Sequence, residues 1–388
     1  MLDKRFLVHH LALAPEPCAA WTREAVAGIP AQRDAALPVL APGGAPLVPD
    51  HDVWDMWQIA HPDGSTVRRG GRSWWFFLAA PRLDDPEGRH DAARIWLTSH
   101  DADGWRAHGP VFAPGFTPGA REWSGSAVLE ADGKTLTHYF TAAGRYGQAI
   151  TFEQRLFVSR GRFLVDGGTP RLEGWSAPEE IVAADGAVYA VADEAVAAPH
   201  GIKGFRDPGY FRDPADGADY VLFTANAGWA ETPVSGVIGI AQRRDGAWQL
   251  QPPLLSAIGV NSELERPHIV HRGGKYYLFW STQARRFAAD IAAPTGLYAM
   301  VAESMRGPWR PVNGTGLVAG NPAERPTQAY CWWVTGEGEV LSFVDYPGLD
   351  TNGAVTLASA EGRRRHFGGV PAPFFTLDFA GDRVTIRR

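Results

Sequence analysis

The segment Asn261–Thr282 reads N-S-E-L-E-R-P-H-I-V-H-R-G-G-K-Y-Y-L-F-W-S-T. Two carboxylates one residue apart, Glu263 and Glu265, precede Arg266 and Pro267. A short apolar run, the pair Gly273-Gly274 and an aromatic run follow. Apolar runs on either side of a two-glycine turn predict a β-hairpin. The two-residue period of a strand puts Glu263 and Glu265 on one face. Two carboxylates beside an arginine are costly in an apolar core and suit a wet, polar cavity, or else a solvated edge strand. Recurrence decides for the cavity, because the same module returns along the chain.

Five aromatic strands are predicted: Ser73–Ala80, Thr137–Ala143, Asp219–Asn226, Lys275–Thr282 and Glu339–Val344. Most follow a glycine turn, as at Asp132-Gly133, Asp216-Gly217, Gly273-Gly274 and 336–338. Before each turn lies another apolar strand with a polar opening: V-W-D (53–55), E-W-S-G-S (122–126), F-R-D-P (205–208), E-L-E-R-P (263–267) and T-Q-A-Y (327–330). Successive openings lie about 60–80 residues apart, the size of a four-stranded sheet with its loops. A strand, a turn and a tryptophan also recur at 95–105, 238–248 and 297–309, as outer strands do. Five such units with no helical segments between them predict an all-β chain, a five-bladed β-propeller with a central funnel-shaped cavity. A pair of β-sandwiches is the alternative. In a propeller the innermost strands run the same way, so the five polar openings meet at one end of the channel.

Length and composition agree. The chain has 388 residues, 45% hydrophobic and 21% charged, which is globular rather than disordered. Fifteen Trp, nineteen Phe, ten Tyr and forty-four Gly favour strands and turns. A net charge of −6 without a basic run argues against nucleic acid or an anionic membrane as partner. No apolar run approaches the roughly 20 residues of a membrane helix. His9 and His10 interrupt the apolar start, so no signal peptide is read. The chain therefore reads as soluble, either cytoplasmic or exported by another route. Residues 1–388 read as one catalytic domain, with residues 1–50 an N-terminal arm. Within the arm, 22–28 form a short helix capped by Thr22, and 29–50 run extended. Cys18 and Cys331 read as two free thiols.

Three openings offer a carboxylate at one structural place: Asp55, Asp207 and Glu265. Trp54 and Trp123 supply flat aromatic faces, and Arg206 a cation. Aromatic faces stack on the C–H side of sugar rings, and carboxylates and arginine bind hydroxyls. Paired carboxylates are the working parts of glycoside hydrolysis. No histidine is placed to activate Ser124, and His51, His268 and His271 lack metal-ligand spacing. Arg212-Asp213-Pro214 repeats the Arg206 triplet beside a turn and reads as a structural copy.

In order and spacing, V-W-D, E-W-S-G-S-A, F-R-D-P and E-L-E-R-P resemble glycoside hydrolase family 68, the levansucrases, inulosucrases and related β-fructofuranosidases. W-T-R-E-A (21–25) is similar to its Gram-negative members. The resemblance runs from about Trp21 to the C-terminus and implies a five-bladed propeller that cleaves sucrose with retention, without a cofactor. It implies Asp55 as nucleophile, Glu265 as general acid/base, and Asp207 as stabiliser of the transition state, kept ionised by Arg206. Trp54, Trp123, Ser124 and Arg206 match substrate contacts, and Glu263 and Tyr330 match groups near the glucosyl side. Sucrose and fructo-oligosaccharide acceptors are the implied partners. Calcium-binding members carry an aspartate where Ser262 stands, which implies no metal. Polymer-forming members carry Arg or His where Gln283 stands. That departure points to short products and appreciable hydrolysis, and makes a hydrolysis-dominated β-fructofuranosidase the alternative. A non-catalytic sugar-binding propeller is the remote one.

Overall fold

The polar openings and glycine turns translate into antiparallel sheets arranged in chain order. The computed structural model describes residues 19–41, 44–192, 202–348 and 357–388. Cys18 and the residues read for a signal peptide lie outside them, as do residues 42–43 of the arm. The first run holds β1 (His51–Ala60), β2 (Arg68–Arg69), β3 (Arg72–Pro81), β4 (Arg94–Asp101) and β5 (Gly104–Pro110). The second holds β6 (Arg121–Leu129), β7 (Thr135–Ala143), β8 (Gln154–Asp166), β9 (Thr169–Glu173) and β10 (Glu179–Glu180). The third holds β11 (Phe205–Arg212), β12 (Asp219–Asn226), β13 (Gly236–Arg244) and β14 (Ala247–Ser256). The fourth holds β15 (Glu265–Arg272), β16 (Lys275–Thr282), β17 (Gly296–Ala302), β18 (Arg310–Pro311) and β19 (Leu317–Gly320). The fifth holds β20 (Ala329–Val334), β21 (Glu339–Val344), β22 (Val370–Pro371), β23 (Phe375–Ala380) and β24 (Arg383–Ile386).

The fold is all-β. Within each run the strands pair antiparallel along a four-stranded path: β1-β3-β4-β5, β6-β7-β8-β10, β11-β12-β13-β14, β15-β16-β17-β18 and β20-β21-β23-β24. The first two runs share one sheet only through a parallel β1–β6 contact of two residue pairs, Ile59 with Ala127 and Ala60 with Val128. The first strands touch in sequence: β1 meets β6, β6 meets β11, β11 meets β15, β15 meets β20, and β20 returns to β1. Gly209 marks how close two of them come. A Cβ there would fall far inside contact distance of the Pro267 carbonyl.

The last run is fastened to the first by side chains and backbone. Arg364 pairs with buried Asp52 (2.6 Å), Thr66 Oγ1 donates to Glu337 (2.9 Å), and Val53 N donates to Gly369 O (2.9 Å). Gly336 N donates to Gly64 O at 3.1 Å.

The arm begins as read. Thr22 caps α1 (Arg23–Ala27), and Gly28 ends it. The extended reading of 29–50 needs correction, because Ile29–Ala31 and Arg33–Ala35 are 3₁₀ turns. Trp21 anchors the arm. It is buried against Trp280, Phe287 and Tyr298, and its Nε1–H donates to Thr315 O (2.8 Å). Truncating such a ring costs on the order of 3–5 kcal/mol. One helix interrupts the fifth run without separating two units: α2 (Ala360–His366), capped by Ser359, lies between β21 and β22. No helix among the described residues is long and apolar enough to cross a membrane.

Candidate active site

Each first strand carries one extra residue near its start. The register slips between Trp54 and Met56, Trp123 and Gly125, Arg206 and Gly209, Glu265 and His268, and Tyr330 and Trp333. The residues at these bulges are Asp55, Ser124, Asp207, Arg266 and Cys331. Four of them are forced to positive φ: Asp55 (42°), Asp207 (63°), Arg266 (53°) and Cys331 (57°). Such backbone is unfavourable for a side-chain-bearing residue and gathers at functional sites. A bulge bends the strand and re-aims side chains.

The bulges correct the sequence reading. Asp55 and Asp207 are equivalent, but the residue matching them on β15 is Arg266; Glu265 stands one position earlier, level with Trp54, Trp123, Arg206 and Tyr330. Glu263 is not on the strand with Glu265, because β15 starts at Glu265. The two glutamates nevertheless meet, because Arg206 reaches both.

All ten of the residues singled out from the sequence line one cavity of about 670 Å³: Trp54, Asp55, Trp123, Ser124, Arg206, Asp207, Glu263, Glu265, Gln283 and Tyr330. Ser124 Oγ lies 3.1 Å from Asp55 Oδ2 and 2.9 Å from Asp207 Oδ1. Thr224 Oγ1 (3.0 Å) and Arg266 N (3.3 Å) donate to the other Asp207 oxygen. Arg206 Nη2 binds Glu265 Oε1 at 2.8 Å and also Glu263 Oε1. Arg286 Nε lies 2.5 Å from Glu263 Oε2. Arg206 also pairs with Asp207, Nε to Oδ2 at 3.7 Å, and favours its ionised form, while Nη2 is shared by the two glutamates.

This sharing separates the two glutamates. Burial pushes Glu263 up, but Arg206 and Arg286 outweigh it and hold the carboxyl below its ordinary range. Burial and the negative Glu263 raise Glu265 to about 8, against the pull of Arg206. One cation between two carboxyls leaves the one with a second arginine ionised and the other protonated at neutral pH. Burial also raises Asp207, with Arg206 opposing and Asp55 reinforcing the rise.

The aromatic faces are held from behind by the 3₁₀ turn Pro86–Asp91. Arg89, buried and bonded to Glu87 (3.0 Å), lies 5.5 Å from the Trp54 ring. Trp123 Nε1–H donates to His90 O (3.1 Å). Beneath the acids, buried Arg266 lies between Trp57 and Trp333 (5.5 and 5.0 Å) and donates to Met56 O (2.9 Å).

Arg89, His90 and Asp345, which the sequence reading did not single out, also line the cavity, as do Arg285, Arg286 and Cys331. Arg285 and Arg286 follow Gln283 after Ala284, just past the end of β16. Gln283 is itself engaged, its Oε1 accepting from Arg285 Nε at 2.5 Å. Asp213, in the copied triplet, is structural, accepting from Tyr276 Oη (2.6 Å) and Ala215 N (2.9 Å). His268 stacks on Trp333 at 4.2 Å and packs the wall.

Comparisons with known proteins place nearly the whole chain in a family. The sequence model of the family described as Levansucrase/Invertase matches residues 13–237 and 231–387. A levansucrase, LscC, of Pseudomonas savastanoi pv. glycinea is 32% identical over 378 residues, covering 86% of this chain and 82% of that protein. An inulosucrase from Halalkalicoccus jeotgali, solved bound to kestose, superposes with a TM-score of 0.85 at 39% identity and 95% coverage of both chains. Levansucrase from Gluconacetobacter diazotrophicus gives 0.80 at 25% identity, covering 96% of this chain and 90% of that one. With a family match across nearly its whole length, the chain belongs to glycoside hydrolase family 68, the levansucrase/invertase family.

Proposed function

We propose that this protein is a sucrose-cleaving, retaining fructosyltransferase that passes fructosyl units to sugars or to water. The observation that carries the reading is the meeting of Asp55, Asp207 and Glu265 in one cavity, with Glu265 raised to about 8 beside a Glu263 held low. A retaining glycosidase needs one ionised carboxylate and one carboxylic acid.

Asp55 attacks the anomeric carbon of the fructosyl unit, and the bond to the glucosyl oxygen breaks. Glu265 gives that oxygen its proton, releasing glucose and leaving a covalent fructosyl-enzyme. Water or a sugar hydroxyl then attacks, and Glu265 takes the proton back. Asp207, fixed by Ser124, Thr224 and Arg266 N, is oriented to bind fructosyl hydroxyls as positive charge develops on the ring. Trp54 and Trp123 offer faces to the sugars, and Glu263 and Tyr330 take the glucosyl side.

The architecture we propose around this site is a five-bladed propeller, with the arm packed on one catalytic domain and the cavity as its funnel. Five runs in chain order, each with a four-stranded antiparallel path, support it, as do the two-pair contact between the first two runs and first strands that touch in a closed cycle.

Incubation with sucrose tests the function. Glucose release in excess of free fructose, with fructosylated sugars accounting for the difference, is expected. Equal release would assign a β-fructofuranosidase, and no release overturns the reading.

A further inference from the structure

Most charged groups in the cavity answer one another. Arg206 serves Glu263 and Glu265, Arg286 pairs with Glu263, Arg285 binds Gln283, and Arg89 binds Glu87. Asp345 is different. It follows β21, and its backbone N–H donates to Gln328 O (2.9 Å). Its side chain lines the cavity, and its Oδ1 is buried with no hydrogen-bond partner among the described residues. Burying a carboxyl oxygen without a donor is costly, so a donor from an entering molecule is the natural partner.

The surroundings say what kind of donor. The charges acting on Asp345 are Arg89, Glu87, Arg285 and Asp55. Arg89 in turn lies against Trp54. Asp345 thus belongs to the Trp54–Asp55 side of the cavity. Two arginines nearby disfavour a cationic ligand, and a neutral hydroxyl beside a flat indole is the chemistry that fits. Burial lifts the carboxyl to about 7, so near neutrality it both accepts and donates, as a sugar hydroxyl does.

We infer that Asp345 is a further substrate-binding residue, whose carboxyl takes a hydroxyl of the fructosyl unit seated over Trp54 and joined to Asp55. The inference rests on the fructosyl chemistry proposed above.

The test compares wild type, Asp345→Asn and Asp345→Ala on sucrose and on a set of sucroses each lacking one fructosyl hydroxyl. On sucrose, Asp345→Ala is expected to lose about 10- to 100-fold in kcat/KM, the worth of a hydrogen bond to a charged group. One deoxy substrate is expected to be poor for wild type and to suffer no further loss beyond about twofold in the variant, since the pair is already broken. Should Asp345→Ala not fold, Asp345→Asn, of the same shape, carries the comparison. Variants within twofold of wild type on sucrose overturn the inference, and so does an equal loss on every substrate, which marks a purely structural role. A wild type that cleaves no sucrose overturns the fructosyl reading itself, and this inference with it.

Discussion

Arg206 Nη2 stands 2.8 Å from Glu265 Oε1 while also binding Glu263, so the protonation of one glutamate is governed by the other. With Glu265 as the proposed acid, kcat/KM is expected to fall as pH rises through about 8. Glu263→Gln removes the like charge and frees Arg206 Nη2 for Glu265. Both changes favour ionised Glu265, so the alkaline limb of the kcat/KM profile should move to lower pH. A limb that stays in place, or moves upward, would separate the two glutamates.

The same raised carboxyl predicts a stability signature. Glu265 holds its proton more tightly folded than unfolded, so its contribution to stability is full below the ordinary carboxyl range and is lost as pH rises to about 8. Melting temperatures should show Glu265→Gln gaining on wild type across that window and levelling off above it. A constant difference between pH 5 and 9 would contradict the assignment.

Ser124 offers one proton to two carboxylates, Asp55 and Asp207. Ser124→Ala leaves their mutual repulsion unrelieved and their positions less defined. We expect kcat for sucrose to drop roughly 10-fold, with KM moving less, since a hydrogen bond to a charged group is lost. A change confined to KM would place Ser124 in substrate binding alone.

Gln283, which we propose for the acceptor side, accepts from Arg285 Nε, so a cation stands two residues beyond it and is steadied by it. Arg285→Ala should lower the glucose-to-free-fructose ratio at matched conversion, with sucrose consumption within about twofold, because charge-assisted donors hold acceptor hydroxyls about twice as strongly as neutral ones. Gln283→Ala should move the ratio the same way by releasing Arg285. An unchanged ratio in both places the acceptor elsewhere.

Gly209 packs directly against the Pro267 carbonyl of the neighbouring first strand. Gly209→Ala must push β11 from β15 and is expected to cost roughly 3 kcal/mol in denaturant unfolding. A loss below about 0.5 kcal/mol would mean the strands have room to move.

The repeat was legible because hairpins announce themselves. Asp219–Asn226, Lys275–Thr282 and Glu339–Val344 have the boundaries their glycine turns and aromatic alternation indicate. The polar openings also meet in one cavity. Their register was not legible, since a single inserted residue is invisible to a two-residue period, and Glu265 was placed level with Asp55 when Arg266 holds that position. Arg89 and Asp345 come from segments outside the aromatic strands, where no periodicity marks them. The helix Ala360–His366 did leave a signal, Ser359 with Glu361 in the first turn, and Gly362 in its middle masked it.

Each sheet is spun from one unbroken run of chain, so no strand is shared between the last run and the first. Among the described residues, the cycle is closed by a zip of Arg364 to Asp52, Glu337 to Thr66, Gly336 to Gly64 and Gly369 to Val53. Asp55 lies on one side of that zip, and Tyr330 and Cys331 on the other, whereas Asp207 and Glu265 sit on runs well away from it. If the molecule unzips there under heat or denaturant, Asp55 parts from the wall beside it while Glu265 and Asp207 stay together. Loss of sucrose cleavage would then precede loss of the sheets.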